Sequence, residues 1–436
     1  MRRLAELREI LRYVPQYRGK VFVIAMDGAL VEDENFGNLL LDIALLCSLR
    51  IGVALVHGAG HQVRRLAEQT GQTPSNIDGT GITDAATLQL ALTAANRVTH
   101  EFLEGLAVVD LRGAAGNAIV AHPAGILQGV DYLLTGKVER VDTAMLNALL
   151  ENDIVPVIPP LGCDGEGRTY RLNSDAVAVE VAKALKAAKL IYLSTVEGIK
   201  VRRAEASDGD LEEELLRHVS VEEADAILKK RRGDVNPASR SKLEHAVKAA
   251  RGGVPRVHVI DGRVGEGLLA EVFSNEGIGT LVHANEYQAV RAAHKKDARA
   301  IHAMIQPSME NDELMRRSRA EIERQIGDYY VFEIDRNPVA CAALHFYPEG
   351  SKAELACVCV DPKYENQGIG LKLMQFAEAQ ARSAGAVELF CLSTQTFNYF
   401  VQKGGFRLGS PDDLPAGRRA VYDRSGRRSH VLLKKL

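Results

Sequence analysis

Apolar runs alternate with amphipathic stretches along the first two thirds of the chain. The strand-like runs are KVFVIAM, IGVALV, DIVPVIPP, LIYLST and VPRVHVID. Between them, HQVRRLAEQT, DAVAVEVAKALKAA and SRSKLEHAVKAARGG have the spacing of amphipathic helices. Strands that alternate with helices predict a largely parallel sheet with helices on both faces. The pattern therefore predicts one large α/β domain that ends near LVHANE.

A different pattern follows the polar stretch EYQAVRAAHKKDARA. After a helical segment come DYYVFEI, NPVACAALHFY and KAELACVCV, three strand-like runs joined by short turns, which predicts antiparallel pairing. A helix over LKLMQFAEAQARSAG and strands over VELFCLST and HVLLKKL complete the pattern. We expect a second domain of α+β organisation and about 150 residues.

The first residues carry a narrow apolar stripe of their own. Leu4, Leu7, Leu11 and Val14 follow helical spacing before Pro15 interrupts the pattern. Such a helix can lie on its own domain, or it can act as an arm that pairs with another subunit. The residues alone favour neither interpretation.

Length and charge narrow the functional classes. The 436 residues include 54 Lys and Arg and 57 Asp and Glu, a formal net charge of −3. This balance gives no general attraction to nucleic acid or to an anionic membrane. No stretch approaches the roughly 20 apolar residues of a transmembrane helix, and charges interrupt the N-terminal stripe where a signal peptide is apolar. The six cysteines form no CxxC pair, so we expect a reduced, cytoplasmic protein.

The segment VDPKYENQGIGLKLMQ places glycines where a strand-exit loop becomes a helix. Backbone N–H groups at such a helix start suit a pyrophosphate. The residues that supply them are Gln367, Gly368, Ile369, Gly370 and Leu371. With the surrounding strand order, this part of the chain resembles a GCN5-related N-acetyltransferase domain. That family usually has a basic or amide side chain where this chain has Glu365, so we expect the backbone to make the contact.

The resemblance implies acetyl-CoA as the co-substrate, without a tightly bound cofactor or a metal. In such domains the strand before the loop splays away from its neighbour. Backbone groups around Val358 and Val360 would then pair with the pantetheine arm of the co-substrate.

The segments HGAGHQV, NSDAVAVEVAKAL, KLIYLSTVEGI and VFSNEGIGT resemble the amino-acid kinase family of the N-acetylglutamate kinase type. The joined order, kinase-like part then acetyltransferase, resembles the N-acetylglutamate synthases over essentially the whole chain. It implies transfer of an acetyl group from acetyl-CoA to the α-amine of L-glutamate, the first step of arginine biosynthesis. The implied parts are an N-terminal oligomerisation helix (1–18), a kinase-like regulatory domain (19–284) and an N-acetyltransferase catalytic domain (287–436).

The kinase-like part lacks groups that phosphoryl transfer needs. The kinases carry a Lys and paired Gly after the first strand, where this chain reads VIAMDGA. The carboxylate of Asp27 in a phosphate cradle would repel a nucleotide. Their substrate-binding Arg is replaced by Gly81, and their late Gly-Met-Ile-Pro-Lys segment reads GDVNPA. Asp175 remains from the catalytic set, and we interpret it as a helix-capping residue. We therefore expect no kinase activity.

Arginine-sensitive members of the family resemble this chain in two further segments. By that resemblance Tyr13, His258, Glu271 and Gly279 would line a site for L-arginine. A guanidinium group favours a carboxylate such as Glu271. Without the resemblance, Glu271 would be a charge on a helix surface and His258 a strand residue with a satisfied ring. The resemblance also implies inhibition by L-arginine and hexamers in which the N-terminal helices interlace.

Acetyl transfer needs a base that deprotonates the attacking amine. Strand alternation in KAELACVCV puts Glu354 on one face with Ala356 and the two valines, where it is the single polar side chain. We expect Glu354 to be the catalytic base. Ser393, at the end of VELFCLST, would stabilise the leaving thiolate, and Tyr399 is the alternative donor.

The two carboxylates of glutamate need cationic contacts. By resemblance Arg317 and Arg427 bind them, Ser429 assists, and Cys357 belongs to the substrate-binding set. The basic runs around the arginines would otherwise be solvated loops or a local nucleic-acid patch. Acyl transfer through Cys357 itself is disfavoured, because alternation points its side chain away from Glu354 and nothing nearby is expected to lower its pKa. We interpret that side chain as part of the core.

Two other functions stay open at this point. The chain would be an N-acetylglutamate kinase if the missing cations were dispensable and the acetyltransferase domain were inactive. It would be a non-catalytic arginine sensor if it bound arginine but not acetyl-CoA.

Overall fold

The computed structural model describes most of the chain. The described residues are 14–15, 17–202, 213–273, 278–284, 288–311, 314–334, 337–348, 350–365, 368–394, 397–426 and 429–436. The chain divides into two compact units, Met1–Asn285 and Glu286–Leu436. Within the described ranges, no helix combines the length and the apolar character needed to cross a bilayer.

The first unit contains the strands and helices that the alternating pattern predicts, and several more. Its strands are β1 (Val21–Met26), β2 (Gly52–His57), β3 (Arg112–Ala114), β4 (Ile119–Pro123), β5 (Ile126–Leu127), β6 (Val130–Asp131), β7 (Gly136–Val141), β8 (Ile154–Ile158), β9 (Leu161–Cys163), β10 (Thr169–Arg171), β11 (Lys189–Ser194), β12 (Lys200–Arg202), β13 (Glu213–Leu215), β14 (His218–Ser220), β15 (Arg256–Asp261) and β16 (Thr280–His283). Its helices are α1 (Phe36–Ser48), α2 (Gly60–Thr70), α3 (Ala85–Val108), α4 (Thr143–Glu151), α5 (Ser174–Ala184), α6 (Val221–Lys230), α7 (Pro237–Arg251) and α8 (Gly267–Phe273).

The central sheet of this unit has eight strands in the order β14–β16–β15–β11–β1–β2–β8–β3. The neighbours from β15 to β3 are all parallel, and β16 runs antiparallel to β15. Along β1, Val23 and Ala25 enter one apolar core while Phe22 and Ile24 enter the other. Because both faces are buried, the central strands consist of continuous apolar runs. The predicted largely parallel sheet is confirmed.

The second unit is α+β, as predicted. Its strands are β17 (Gln288–Ala292), β18 (Tyr329–Ile334), β19 (Asn337–Tyr347), β20 (Lys352–Val360), β21 (Glu388–Ser393), β22 (Arg407–Leu408) and β23 (His430–Lys435). Its helices are α9 (Ala298–Glu310), α10 (Arg319–Arg324), α11 (Ile369–Ser383), α12 (Phe397–Gln402) and α13 (Ala416–Ser425). The sheet order is β17–β18–β19–β20–β21–β23–β22, antiparallel except between β20 and β21. The predicted antiparallel pairing of β18, β19 and β20 is confirmed.

Candidate functional site

The two central strands of the second unit separate in the middle of the sheet. The parallel ladder of β20 and β21 pairs Lys352 with Glu388 and ends where Glu354 pairs with Phe390. Beyond that point β20 continues to pair with β19 on its other side as far as Val360. This is the splay that the acetyltransferase resemblance implied, and Glu354 lies at its origin.

A β-bulge in β20 changes which side chains share the face of Glu354. Cys341 pairs with Cys359 and Ala343 with Ala356, so β20 has one more residue than β19 between these pairs. Cys357 lies in the bulge with a φ of +54°, in the left-handed region. The bulge reverses the alternation beyond it.

The prediction that both valines share the face of Glu354 is therefore wrong. Val360 pairs with Ala340, on the opposite face, and Val358 follows it by alternation. Cys359 lies on the Glu354 face instead.

Glu354 is buried, with 4% of its surface exposed, and one of its carboxylate oxygens accepts two hydrogen bonds. The Arg418 Nε donates a hydrogen bond to Glu354 Oε2 at 2.7 Å, and the Tyr347 hydroxyl donates to the same oxygen at 3.0 Å. The Arg418 side chain on α13 is also largely buried. A buried carboxylate with a charged partner of this kind is fixed in position. Nothing in the sequence signalled Arg418, which is 64 residues away along the chain.

Arg317 lies in the same neighbourhood and contacts Tyr329. Its Nη1 donates to the Tyr329 hydroxyl at 2.6 Å, and its charge acts on both Cys357 and Glu354. The guanidinium carbon lies 5.9 Å from the centre of the Tyr329 ring. A cavity of about 450 Å³ adjoins this arginine. Its lining comes from α9 and the segment before α10: His302, Gln306, Met309, Glu310, Arg316, Arg317, Ser318 and Glu321.

Cys357 does not point away from Glu354, and that prediction is wrong. Its side chain belongs to the buried cluster of Tyr329, Cys341 and Ala343, on the Glu354 face. A hydrogen bond with Cys341 and the charge of Arg317 lower the pKa of the Cys357 thiol against the effect of burial. The expectation that nothing nearby lowers this pKa is therefore also wrong.

Helix α11 begins at the glycines of the predicted pyrophosphate loop. Gly368 caps the helix with a φ of +75°, and Ile369 and Gly370 begin it. A Cβ atom added at Gly370 would lie 2.8 Å from the Tyr399 hydroxyl, so a larger residue there would require the Tyr399 side chain to shift. Tyr399 thus lies against the start of α11.

The structure describes some of the remaining predicted site residues and not others. Ser393 is buried and ends β21, where it pairs with His430. The backbone oxygen of Ser429 accepts a hydrogen bond from the Tyr422 hydroxyl at 2.9 Å. Gln367 and Arg427, like Tyr13 in the first unit, lie outside the described residues.

Comparison with known proteins covers both units. The Amino acid kinase family matches residues 20–261, and the Acetyltransferase (GNAT) family matches residues 296–402. An amino-acid acetyltransferase of Neisseria meningitidis serogroup B is 35% identical over 99% of this chain and 98% of its own length. One of Ralstonia nicotianae is 36% identical over 99% of this chain and 94% of its own.

The chain belongs to the amino-acid acetyltransferase family.

A solved structure supports the same assignment over both units. The N-acetylglutamate synthase of Neisseria gonorrhoeae, in complex with coenzyme A and L-arginine, matches with a TM-score of 0.86 and 33% identity over 99% of each chain. A structure of the same enzyme with coenzyme A and N-acetyl-glutamate matches with a TM-score of 0.61 and 34% identity. As a member of this family of N-acetylglutamate synthases, the chain is an acyltransferase.

This family member has a buried histidine–carboxylate contact in the first unit where the resemblance implied an arginine site. The His258 Nδ1 lies 2.7 Å from Glu271 Oε1, and both side chains are 2% exposed. The other carboxylate oxygen accepts from the N–H groups of Ile278 and Gly279, at 2.7 and 3.2 Å. Lys189 Nζ lies 3.2 Å from His258 Nε2. Three of the four predicted residues are therefore together, and Glu271 is not a surface charge.

The electrostatics of Glu271 follow from these contacts. Burial acts to raise the pKa of Glu271, but the hydrogen bond with His258 and those from Gly279 and Ile278 lower it to about 2. The carboxylate is thus ionised at neutral pH, as a guanidinium partner requires.

The kinase-like cleft of this acetyltransferase contains a cation that the sequence analysis missed. Lys242 Nζ lies 2.9 Å from Asp27 Oδ1 and 3.4 Å from Asp175 Oδ1, and its side chain is 7% exposed. The Ser241 hydroxyl donates to Asp175 Oδ2 at 2.6 Å. The cap of α5 is Asn173, whose side chain accepts from the N–H of Ala176. The interpretation of Asp175 as a helix cap is therefore wrong, since it pairs with α7 instead.

Proposed function

We propose that this enzyme transfers the acetyl group of acetyl-CoA to the α-amine of L-glutamate. The observation that carries the proposal is the buried carboxylate of Glu354 at the origin of the splay between β20 and β21. The solved relative with bound coenzyme A and N-acetyl-glutamate supports the choice of both substrates. We assign residues 19–284 to regulation and residues 287–436 to catalysis.

Glu354 is proposed as the general base. The α-amine of glutamate attacks the thioester carbonyl only after it has lost a proton, and a carboxylate takes that proton directly or through one water. Arg418 and Tyr347 hold Glu354 Oε2 and so fix the orientation of the carboxylate. Arg317, beside the cavity, would pair with a substrate carboxylate, with Arg427, Ser429 and Cys357 as further proposed contacts.

The co-substrate is proposed to bind across the splay. The start of α11 at Gly368, Ile369, Gly370 and Leu371, with Gln367, would bind the pyrophosphate through backbone N–H groups, and β20 near Val358 and Val360 would pair with the pantetheine arm. Ser393 at the end of β21 would hydrogen-bond the leaving thiolate. Tyr399, which lies beside the start of α11, is the alternative donor.

The enzyme is further proposed to be inhibited by L-arginine bound at Glu271, with His258, Gly279 and Tyr13. The ionised, buried carboxylate supports a guanidinium ligand, and the solved relative contains L-arginine. Inhibition requires that arginine bind one state of the enzyme more tightly than another. We also propose a homo-hexamer on the basis of the family resemblance, which sedimentation analysis tests.

One assay tests the catalytic proposal. Release of the CoA thiol from acetyl-CoA should depend on L-glutamate and should fall when L-arginine is added. Glu354→Gln should lower kcat by about 10²- to 10⁴-fold with a small change in KM. CoA release that does not depend on glutamate would contradict the proposal, and arginine binding without acetyl-CoA binding would favour a sensor.

A further inference from the structure

Three thiols cluster on the Glu354 face of β19 and β20. None of the three forms a disulfide in this structure; Cys341 and Cys357 are buried and Cys359 is half-buried. Cys341 and Cys359 are cross-strand partners, and the bulge adds Cys357 to the same side of the sheet. Side chains of cross-strand partners lie about 5 Å apart at Cβ, so the three sulfurs are neighbours.

Cys341 is the central thiol of this cluster. Its Sγ lies 3.7 Å from the backbone oxygen of Cys357, and it interacts with the thiols of both Cys357 and Cys359. A hydrogen bond with Cys357, together with burial, raises the pKa of Cys341. Cys357 has the opposite environment, because Arg317 and the Tyr329 hydroxyl face it. The thiolate is the reactive form of cysteine, so Cys357 is the nucleophile of the pair and Cys341 its nearest partner.

We propose that Cys357 and Cys341 form an oxidation-sensitive site that closes a disulfide when a hydroperoxide reaches it, and that this disulfide stops acetyl transfer. The second half of the proposal rests on the function proposed above. A disulfide would draw the Cys357 sulfur toward Cys341 and away from Arg317 and Tyr329, which border the proposed glutamate site. It would also cross-link β19 to the bulge of β20, directly beyond Glu354.

The chemistry balances in two steps. The Cys357 thiolate attacks one oxygen of the hydroperoxide, an S–O bond forms, the O–O bond breaks, and the leaving alkoxide takes up the thiol proton to give an alcohol. The Cys341 sulfur then attacks the resulting sulfenic acid, an S–S bond forms, and the S–O bond breaks to release water with the Cys341 proton. Two thiols and one hydroperoxide thus give one disulfide, one alcohol (water, for hydrogen peroxide) and one water.

The test uses the full-length enzyme and hydrogen peroxide. Reduced enzyme is treated with peroxide, remaining thiols are alkylated, and peptides are mapped by mass spectrometry while glutamate-dependent CoA release is measured. We expect a peptide pair joined through Cys341 and Cys357, a loss of activity of at least tenfold, and recovery after dithiothreitol. Alkylation of both cysteines after peroxide treatment would contradict the proposal, and so would a disulfide that leaves the activity unchanged.

Two variants make the assignment specific. Cys341→Ala should abolish the disulfide. Excess peroxide should then oxidise the sulfenic acid of Cys357 to the sulfinic acid, with a second peroxide molecule reduced to water, so that the lost activity is no longer recovered by dithiothreitol. Cys359→Ala removes the other thiol of the cluster and should keep both the disulfide and the recovery. A Cys341–Cys359 disulfide would overturn the proposal. If the reduced enzyme shows no glutamate-dependent CoA release, the proposed function fails, whereas the peptide map still decides the site.

Discussion

Arg418 contacts the proposed catalytic base, and the sequence analysis did not name it. Its Nε lies 2.7 Å from Glu354 Oε2, and both groups are buried. A planar guanidinium fixes a carboxylate in a way that an ammonium group does not. Arg418 is therefore a positioning residue for the proposed base.

Substitution of Arg418 should separate catalysis from binding. Arg418→Ala should lower kcat by at least tenfold, because Glu354 loses its orientation, with little change in the KM for acetyl-CoA. Arg418→Lys should recover part of the loss, and added guanidinium ion should rescue Arg418→Ala in steady-state assays. Arg419→Ala is the matched control. Among the described residues, Arg419 forms salt bridges with the exposed Asp412 and the half-exposed Asp423. Equal losses in both variants would contradict the role.

The buried carboxyl group of Asp42 predicts how the stability of the protein depends on pH. Burial and the charge of Glu266 raise the pKa of Asp42 on α1 to about 6, and its Oδ2 has no hydrogen-bond partner among the described residues. Ionisation of this carboxyl group therefore destabilises the folded protein. This destabilisation is absent below about pH 4, where the group is protonated in both states, and is complete above about pH 6.

Asp42→Asn should consequently stabilise the protein at neutral pH. The gain should be close to zero at pH 4, grow as the pH rises to 6, and level off at about 1–2 kcal/mol, less than the full pKa difference because water reaches part of the group. Urea unfolding at several pH values measures it. Glu68→Gln, at an exposed position of α2, should show no such trend. A gain that is constant with pH would rule out the carboxyl group as its source.

At the scale of elements, α7 is tied to β1 and α5 by one lysine. Lys242 lies between Asp27 and Asp175, and its ammonium group is 5.6 Å from the centre of the Tyr192 ring. Removing one member of a buried charge cluster leaves the others without compensation.

Lys242→Met should destabilise the first unit by about 3–5 kcal/mol. Lys248→Met, at an exposed position of the same helix, should change the unfolding free energy by less than about 0.5 kcal/mol. Urea denaturation of both variants measures the difference. Combining Lys242→Met with Asp27→Asn should restore part of the loss, and a double variant no more stable than Lys242→Met would contradict the account.

The elements also show what the sequence can and cannot predict. The alternation of apolar runs was sufficient for the parallel sheet and the antiparallel strands, because these depend on local periodicity. Cys357 adopts a φ of +54°, in a region where glycine or asparagine is usual. Because a cysteine occupies this position, the residue type did not indicate a bulge. The faces of the residues beyond it were therefore assigned wrongly. Arg418 and Lys242 were missed because their partners are 64 and 215 residues away.

At the scale of the whole molecule, arginine should act as a stabilising ligand. A ligand that binds only the folded state at 100 times its Kd adds about 2.7 kcal/mol to the unfolding free energy. L-arginine should therefore raise the Tm of the full chain. Glu271→Gln should remove this shift and the inhibition, whereas Glu222→Gln, at an exposed position of α6, should keep both. A Tm shift that survives Glu271→Gln would place the arginine site elsewhere.

The Asp27–Lys242–Asp175 cluster also limits how the protein can evolve. Asp27→Lys would put two ammonium groups beside one buried carboxylate. Loss of Lys242 first would leave two carboxylates facing each other. Each single change is expected to cost a large fraction of a typical domain's stability. Positions 27, 175 and 242 should therefore change together or not at all, so that related chains keep or lose the three charges as a set.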